Sequence, residues 1–204
     1  MDQARRIRMW AYVGLFGGLW GAVEMTLGSA LHLIFPPLAN TFLVGLIMTS
    51  IACAIALTGR FFVPKRGSIV LIGLIAAVLK ALGPGAVKIG PMIAIMAESL
   101  LMEAALAFRP DPGRWAYGAA GMLAVSWNFF HRFVMMGLLY GRSLPEVAAK
   151  MSREGSGVLG LDERHLLPVL ATLLAVRMVC GALSGLGAWS LGERIRRRVQ
   201  REPR

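Results

Sequence analysis

Six apolar stretches dominate the chain, and each approaches or exceeds the roughly 20 helical residues that cross a bilayer core. They run over about 9–35, 38–59, 68–83, 90–108, 115–140 and 166–192. Pro36-Pro37 closes the first, Gly83-Pro84-Gly85 the third and "RPDPGR" the fourth. Membrane β-strands are shorter than these stretches and alternate strictly in polarity, which these do not. A mean hydropathy of +0.63 is too apolar for a typical water-soluble domain. The expected fold is an all-α integral membrane protein, with residues 1–204 forming one bundle of six transmembrane helices.

Charge sets the orientation of such a bundle. Lys and Arg total 22 against 11 Asp and Glu, and the basic residues flank the apolar stretches. That placement fits membrane orientation better than nucleic-acid binding. Arg5, Arg6 and Arg8 precede the first stretch; Arg60, Lys65 and Arg66 follow the second; Arg109 and Arg114 follow the fourth. The basic tail 193–204, within "ERIRRRVQREPR", follows the sixth. All four regions share one side if every stretch spans. Both termini are then expected in the cytoplasm, and the protein in the cytoplasmic (inner) membrane. "MDQARRIR" resembles the basic start of a signal peptide, but the apolar run behind it is too long and contains Glu24, so a retained helix is expected.

The link 141–165 falls on the outer side, and its charges cancel. Ser143 precedes Glu146 by three residues, a capping-box spacing, and Gly155 is a plausible stop. A short amphipathic helix is expected there, either flat on the membrane or closing over a site. Cys53 and Cys180 lie in apolar segments without CxxC spacing. They read as small buried hydrophobes, with a single thiolate ligand to a metal left open.

Ionisable groups in an apolar helix cost about 2.5–3.5 kcal/mol each to insert and default to function. In "LAVSWNFFHRFVMMGLLYG", Asn128, His131 and Arg132 recur at i, i+3 and i+4, on one helix face beside Trp127. Glu24 and His32 bracket Gly28 at spacings of four on the first helix. With 1.5 Å of rise per residue, Glu24, His32, Lys80, Asn128, His131 and Arg132 fall in the outer half. Glu98 falls in the outer half or near the midplane, Arg177 near the midplane, and Glu103 in the inner half. Glu24, His32, Lys80, Glu98, Trp127, Asn128, His131, Arg132 and Arg177 are therefore the expected substrate-binding residues of a polar cavity open to the outside. In it Arg132 and Arg177 would hold a carboxylate or phosphate, and Glu24 or Glu98 an amine or ring N–H.

The competing reading is scaffolding, in which Glu24, Glu98 and Glu103 pair with Lys80, Arg132 and Arg177 to fix helix register. Lys88 can snorkel, and His32 can be merely solvated. Trp10, Trp115 and Trp189 read as interface anchors. An integral membrane enzyme would have to build a metal site from Glu24, His32, Glu98 and His131, yet no HExxH or paired-His spacing is present. "GPGAVKIG" lacks the Walker spacing and its GK[ST] ending. No catalytic residue, resident metal or cofactor is expected. An ion-coupled small transporter remains a second reading of the Glu and Arg groups.

Helix one carries Gly14 and Gly18, and then Gly17 and Gly21, two overlapping small-xxx-small pairs that permit close helix approach. Six helices, both ends inside, an outer polar pocket and the small-residue run "GLFGGLWGA" together resemble the substrate-binding S component of an energy-coupling factor (ECF) transporter. That resemblance covers nearly the whole chain and is architectural. The run uses Gly where that family's pattern is Ala-x-x-x-Ala. "MDQARR" lacks the second-position His of the nickel and cobalt members. The resemblance implies uptake of a vitamin or related micronutrient. It implies partnership with a transmembrane coupling subunit and two ATPases, contacted through Gly14, Gly17, Gly18 and Gly21.

Overall fold

The computed structural model describes residues 3–34, 41–83, 89–108, 111–160 and 165–201. Among them the chain forms seven helices and no strand. These are α1 (Gln3–Ile34), α2 (Thr41–Phe62), α3 (Ser68–Leu82), α4 (Ile89–Ala107), α5 (Arg114–Tyr140), α6 (Leu144–Leu159) and α7 (Leu166–Arg201).

The six long helices close into a ring. Packing runs from α1 to α3, α4, α5, α7, α2 and back to α1, and α2 also touches α3 and α5. The amphipathic α6 lies outside that ring, against α7 and α5. Trp20, Leu57, Ile69, Ile72, Met102 and Leu106 are fully buried inside. Many large apolar side chains face outward, among them Leu15, Leu19, Leu74, Val78, Leu100, Leu123, Phe130, Val134, Val179 and Leu183. A bundle greasy on both its inner and outer surfaces belongs in lipid. Among the described residues three helices, α2, α4 and α7, are long and apolar enough to cross a membrane. α3 is apolar but has 15 residues, which span about 22 Å at the helical rise.

Glycine decides which helices meet most closely. A Cβ on Gly121 would run into the backbone of Gly181 and Gly185, and one on Gly185 into the carbonyl of Tyr117. α5 and α7 therefore touch backbone to backbone along Gly181-Ala-Leu-Ser-Gly185, a small-xxx-small pair.

The four glycines of α1 divide. Cβ atoms on Gly17 and Gly21 would lie 2.7 Å from Ile75 and Leu79 of α3, so these two glycines are used inside the chain. Gly14 and Gly18 have nothing within 4 Å. Two of the four glycines expected to meet a partner are therefore taken up within the chain. All four lie on one helix stripe at i, i+3, i+4 and i+7, and α3 covers the edge that carries Gly17 and Gly21.

Several ends differ from expectation. α7 continues through most of the expected tail to Arg201. Arg196 and Arg197 reach back to Glu193 at 2.7 and 3.1 Å, helix-face pairs that favour continuation. α1 likewise begins at Gln3 and carries Arg5, Arg6 and Arg8 on its first turns. α6 opens on the Ser143–Glu146 capping box, with the Ser143 N–H donating to Glu146 Oε2 at 3.2 Å. It does not stop at Gly155, where a Cβ would lie 2.6 Å from Leu173 of α7. That glycine lets α6 sit down on α7. The helix ends instead at Gly160, whose φ of 66° is left-handed.

Arg60, expected in a solvated link, is 6% exposed in the last turn of α2. It pairs with Glu103 at 3.4 Å and donates to Ser68 Oγ at 3.1 Å. Glu103 Oε2 accepts the Ile69 N–H at 3.0 Å. One carboxylate thus ties the end of α2 and the start of α3 to α4. Its partner is Arg60, not Lys80, Arg132 or Arg177.

Candidate functional site

A cavity of about 570 Å³ lies between the helices, and all seven contribute to its wall. The volume suits a small organic molecule rather than a bare ion. On α5, Asn128, His131, Arg132 and Met135 line it at i, i+3, i+4 and i+7, so one face of that helix forms a wall. Glu24 comes from α1, Lys80 from α3, Glu98 from α4 and Arg177 from α7.

Seven of the nine expected substrate-binding residues therefore meet at one cavity: Glu24, Lys80, Glu98, Asn128, His131, Arg132 and Arg177. Trp127 is not among the lining residues. It sits one position back on α5, with its ring 6.1 Å from that of His131. His32 belongs to α1, but its side chain lies outside the described residues, as do Lys88 and Arg109.

The charged groups have specific partners. Lys80 Nζ stands 3.3 Å from Glu24 Oε2 and donates to the Glu24 carbonyl at 2.7 Å. Arg132 grips Glu154 of α6 with two nitrogens, at 2.7 and 2.8 Å, a forked geometry that also fixes orientation. Arg177 Nη1 donates to Asn128 Oδ1 at 2.8 Å. Its Nη2 donates to the Phe42 carbonyl at 3.2 Å, and its guanidinium lies 4.7 Å from the centre of the Phe42 ring. Asn128 Nδ2 donates to Thr49 Oγ1 at 3.3 Å, and the Thr49 hydroxyl donates to Glu98 Oε1 at 3.2 Å. Arg177 and Glu98 are thus joined through Asn128 and Thr49 in a chain whose donors all point toward the carboxylate. Such a chain leaves the polar groups between Arg177 and Glu98 hydrogen-bonded to one another.

The pairing expected for a pure scaffold holds for Glu24 and Lys80 alone. Gly45 of α2 makes room for the amide: a Cβ there would lie 2.7 Å from Asn128 Oδ1. Two lining residues keep buried nitrogens without a hydrogen-bond partner among the described residues, His131 Nδ1 and Arg177 Nε.

Sequence reasoning did not nominate Phe42, Met48 and Thr49 of α2, or Lys150, Met151 and Glu154 of α6. The α2 residues carry no charge and look like the rest of a greasy helix. The α6 residues did leave a signal. Lys150 and Glu154 share one face of an amphipathic helix at i, i+4, with Met151 beside them. Of the two placements open to that helix, it takes the one over the cavity, packed on α7 and α5.

Among the described residues no three His, Cys, Asp or Glu side chains cluster as metal ligands. Cys53 is buried and Cys180 partly buried; both are free thiols. Comparison with protein-family models, with curated proteins and with solved structures finds no match for this chain.

Proposed function

We propose that this chain is a membrane-embedded binding subunit. It captures a small polar organic molecule, such as a vitamin or a vitamin precursor, at the outer side of the cytoplasmic membrane for uptake. The observation that carries this reading is the convergence of charged and amide groups from five apolar helices on one cavity, beneath a sixth, amphipathic helix. Intramembrane charge at this density is costly to maintain and is explained by a ligand that uses it. In this reading α1–α5 and α7 cross the bilayer, α6 lies on the outer side and both termini are cytoplasmic. The outward pair Gly14 and Gly18, with Leu15 and Leu19 beside it, is the face that meets a transmembrane coupling subunit. Two ATPases would act through that subunit, in the manner of an ECF transporter's S component. The chain itself performs no chemistry.

The test is to purify the protein in detergent, denature it, and identify the released small molecules by mass spectrometry. The control is Gly45→Leu, whose side chain intrudes on Asn128 and the cavity. A polar compound released by the wild type and absent from Gly45→Leu supports the reading. Equal release from both proteins counts against it.

A further inference from the structure

Among the described residues, the charges around the cavity do not balance. Glu24, Glu98 and Glu154 face Lys80, Arg132, Lys150 and Arg177. Glu24 is matched by Lys80 and Glu154 by Arg132, and Glu98 is linked to Arg177 through Thr49 and Asn128. Lys150 is left over. It forms no ion pair and no hydrogen bond among the described residues, although it lines the cavity and is only partly exposed. Its natural helix partner is Glu154, four residues on, but Arg132 draws that carboxylate away at 2.7 Å. A second observation points the same way. Arg177, 3% exposed, keeps Nε buried without an acceptor among the described residues. Orphaned buried donors are rare in folded proteins and call for an acceptor that the chain does not supply. The missing component among the described residues is therefore negative charge with acceptor oxygens.

We infer that the cavity takes an anionic organic molecule, with a carboxylate-type group held by Lys150 of α6. This rests on the binding role proposed above and adds the charge class of the substrate. It also gives α6 a purpose: the helix brings to the site a cation that is unbalanced among the described residues. Arg132–Glu154 fastens the helix in place while leaving Lys150 unpaired. A neutral or cationic ligand would leave that lysine uncompensated in a largely apolar wall.

The experiment uses immobilised full-length protein in detergent and the fraction of yeast extract below 1 kDa. Retained compounds are eluted and identified by mass spectrometry on wild type, Lys150→Gln and Lys150→Arg. Lys150 is exposed enough for both variants to fold, and melting curves verify that they do. The expected result is enrichment of an organic anion on the wild type, about tenfold or more lost on Lys150→Gln and largely kept on Lys150→Arg. An enriched neutral or cationic compound overturns this inference but sustains the binding role. Retention unchanged in Lys150→Gln overturns it too. An anionic phospholipid as the retained species overturns it by assigning Lys150 to the membrane surface. No enrichment on the wild type overturns the binding role, and this inference with it.

Discussion

Arg177 Nη1 donates to Asn128 Oδ1 at 2.8 Å, across the contact where α5 and α7 meet through bare glycine backbone. The two observations depend on each other. Only because Gly121, Gly181 and Gly185 let the helices touch can a short amide on α5 reach a guanidinium on α7. Asn128 then passes the contact on to Thr49 and Glu98. Replacing Asn128 with Leu removes an acceptor from Arg177 and a donor from Thr49 at once. The expected loss is about 1–3 kcal/mol, since buried polar groups are left unsatisfied. Thr49→Val, which strips only the hydroxyl, should cost less. Unfolding in detergent measures both, and equal stability of Asn128→Leu and wild type would contradict the chain of hydrogen bonds.

Gly45 tests the same network from the opposite wall. A methyl group there would lie 2.7 Å from Asn128 Oδ1. Gly45→Ala should therefore displace the amide, with an overpacking cost of about 1–3 kcal/mol. Retention of the compound bound by the wild type should fall. A variant that keeps both stability and retention would show that Asn128 has room to move.

The glycines of α1 should separate by their surroundings. Gly17→Leu must clash with Ile75 of α3 and is expected to lower the yield of folded protein. Gly18→Leu has open space and should leave folding and small-molecule retention intact while abolishing co-purification of a coupling subunit. A normal complex with Gly18→Leu would remove that face from the proposed interface.

Topology can be read by cysteine labelling in intact cells. Ser152 is 2% exposed and unsuitable as a labelling site, whereas its neighbour Arg153 is exposed. With both termini cytoplasmic, an impermeant reagent should modify Arg153→Cys and spare Arg198→Cys. The reverse pattern would overturn the proposed orientation.

How far the sequence foretold this arrangement depended on the kind of signal. Asn128, His131 and Arg132 were legible because polar groups are conspicuous in an apolar run and their spacing marks a helix face. Pairings were not legible, because they depend on helix rotation and register. Arg60 looked like a solvated link residue, yet one more turn of α2 buries it against Glu103. Glu154 and Lys150 belonged to a link that sums to zero, and a sum conceals which member is diverted to another helix. Gly17 and Gly18 are adjacent letters with opposite surroundings. The Gly181–Gly185 pair carried the same spacing as those of α1 and was open to the same reading.

The central claim is that these charges form a binding site and do not merely brace the bundle, and Arg132→Ala distinguishes the two most directly. The measurement is the melting temperature of wild type and variant in detergent, with and without the small-molecule fraction of yeast extract. A binding site predicts that the extract raises the wild-type melting temperature, as any ligand of the folded state must. Arg132→Ala should then melt close to the ligand-free wild type and lose the rise, because Glu154 borders the cavity with 26% of its side chain exposed and can be solvated when its partner is removed. A buried brace predicts a loss of about 3–5 kcal/mol without any ligand. Arg132→Ala protein that is destabilised to that degree, and whose remaining folded fraction responds to the extract as the wild type does, would contradict the account.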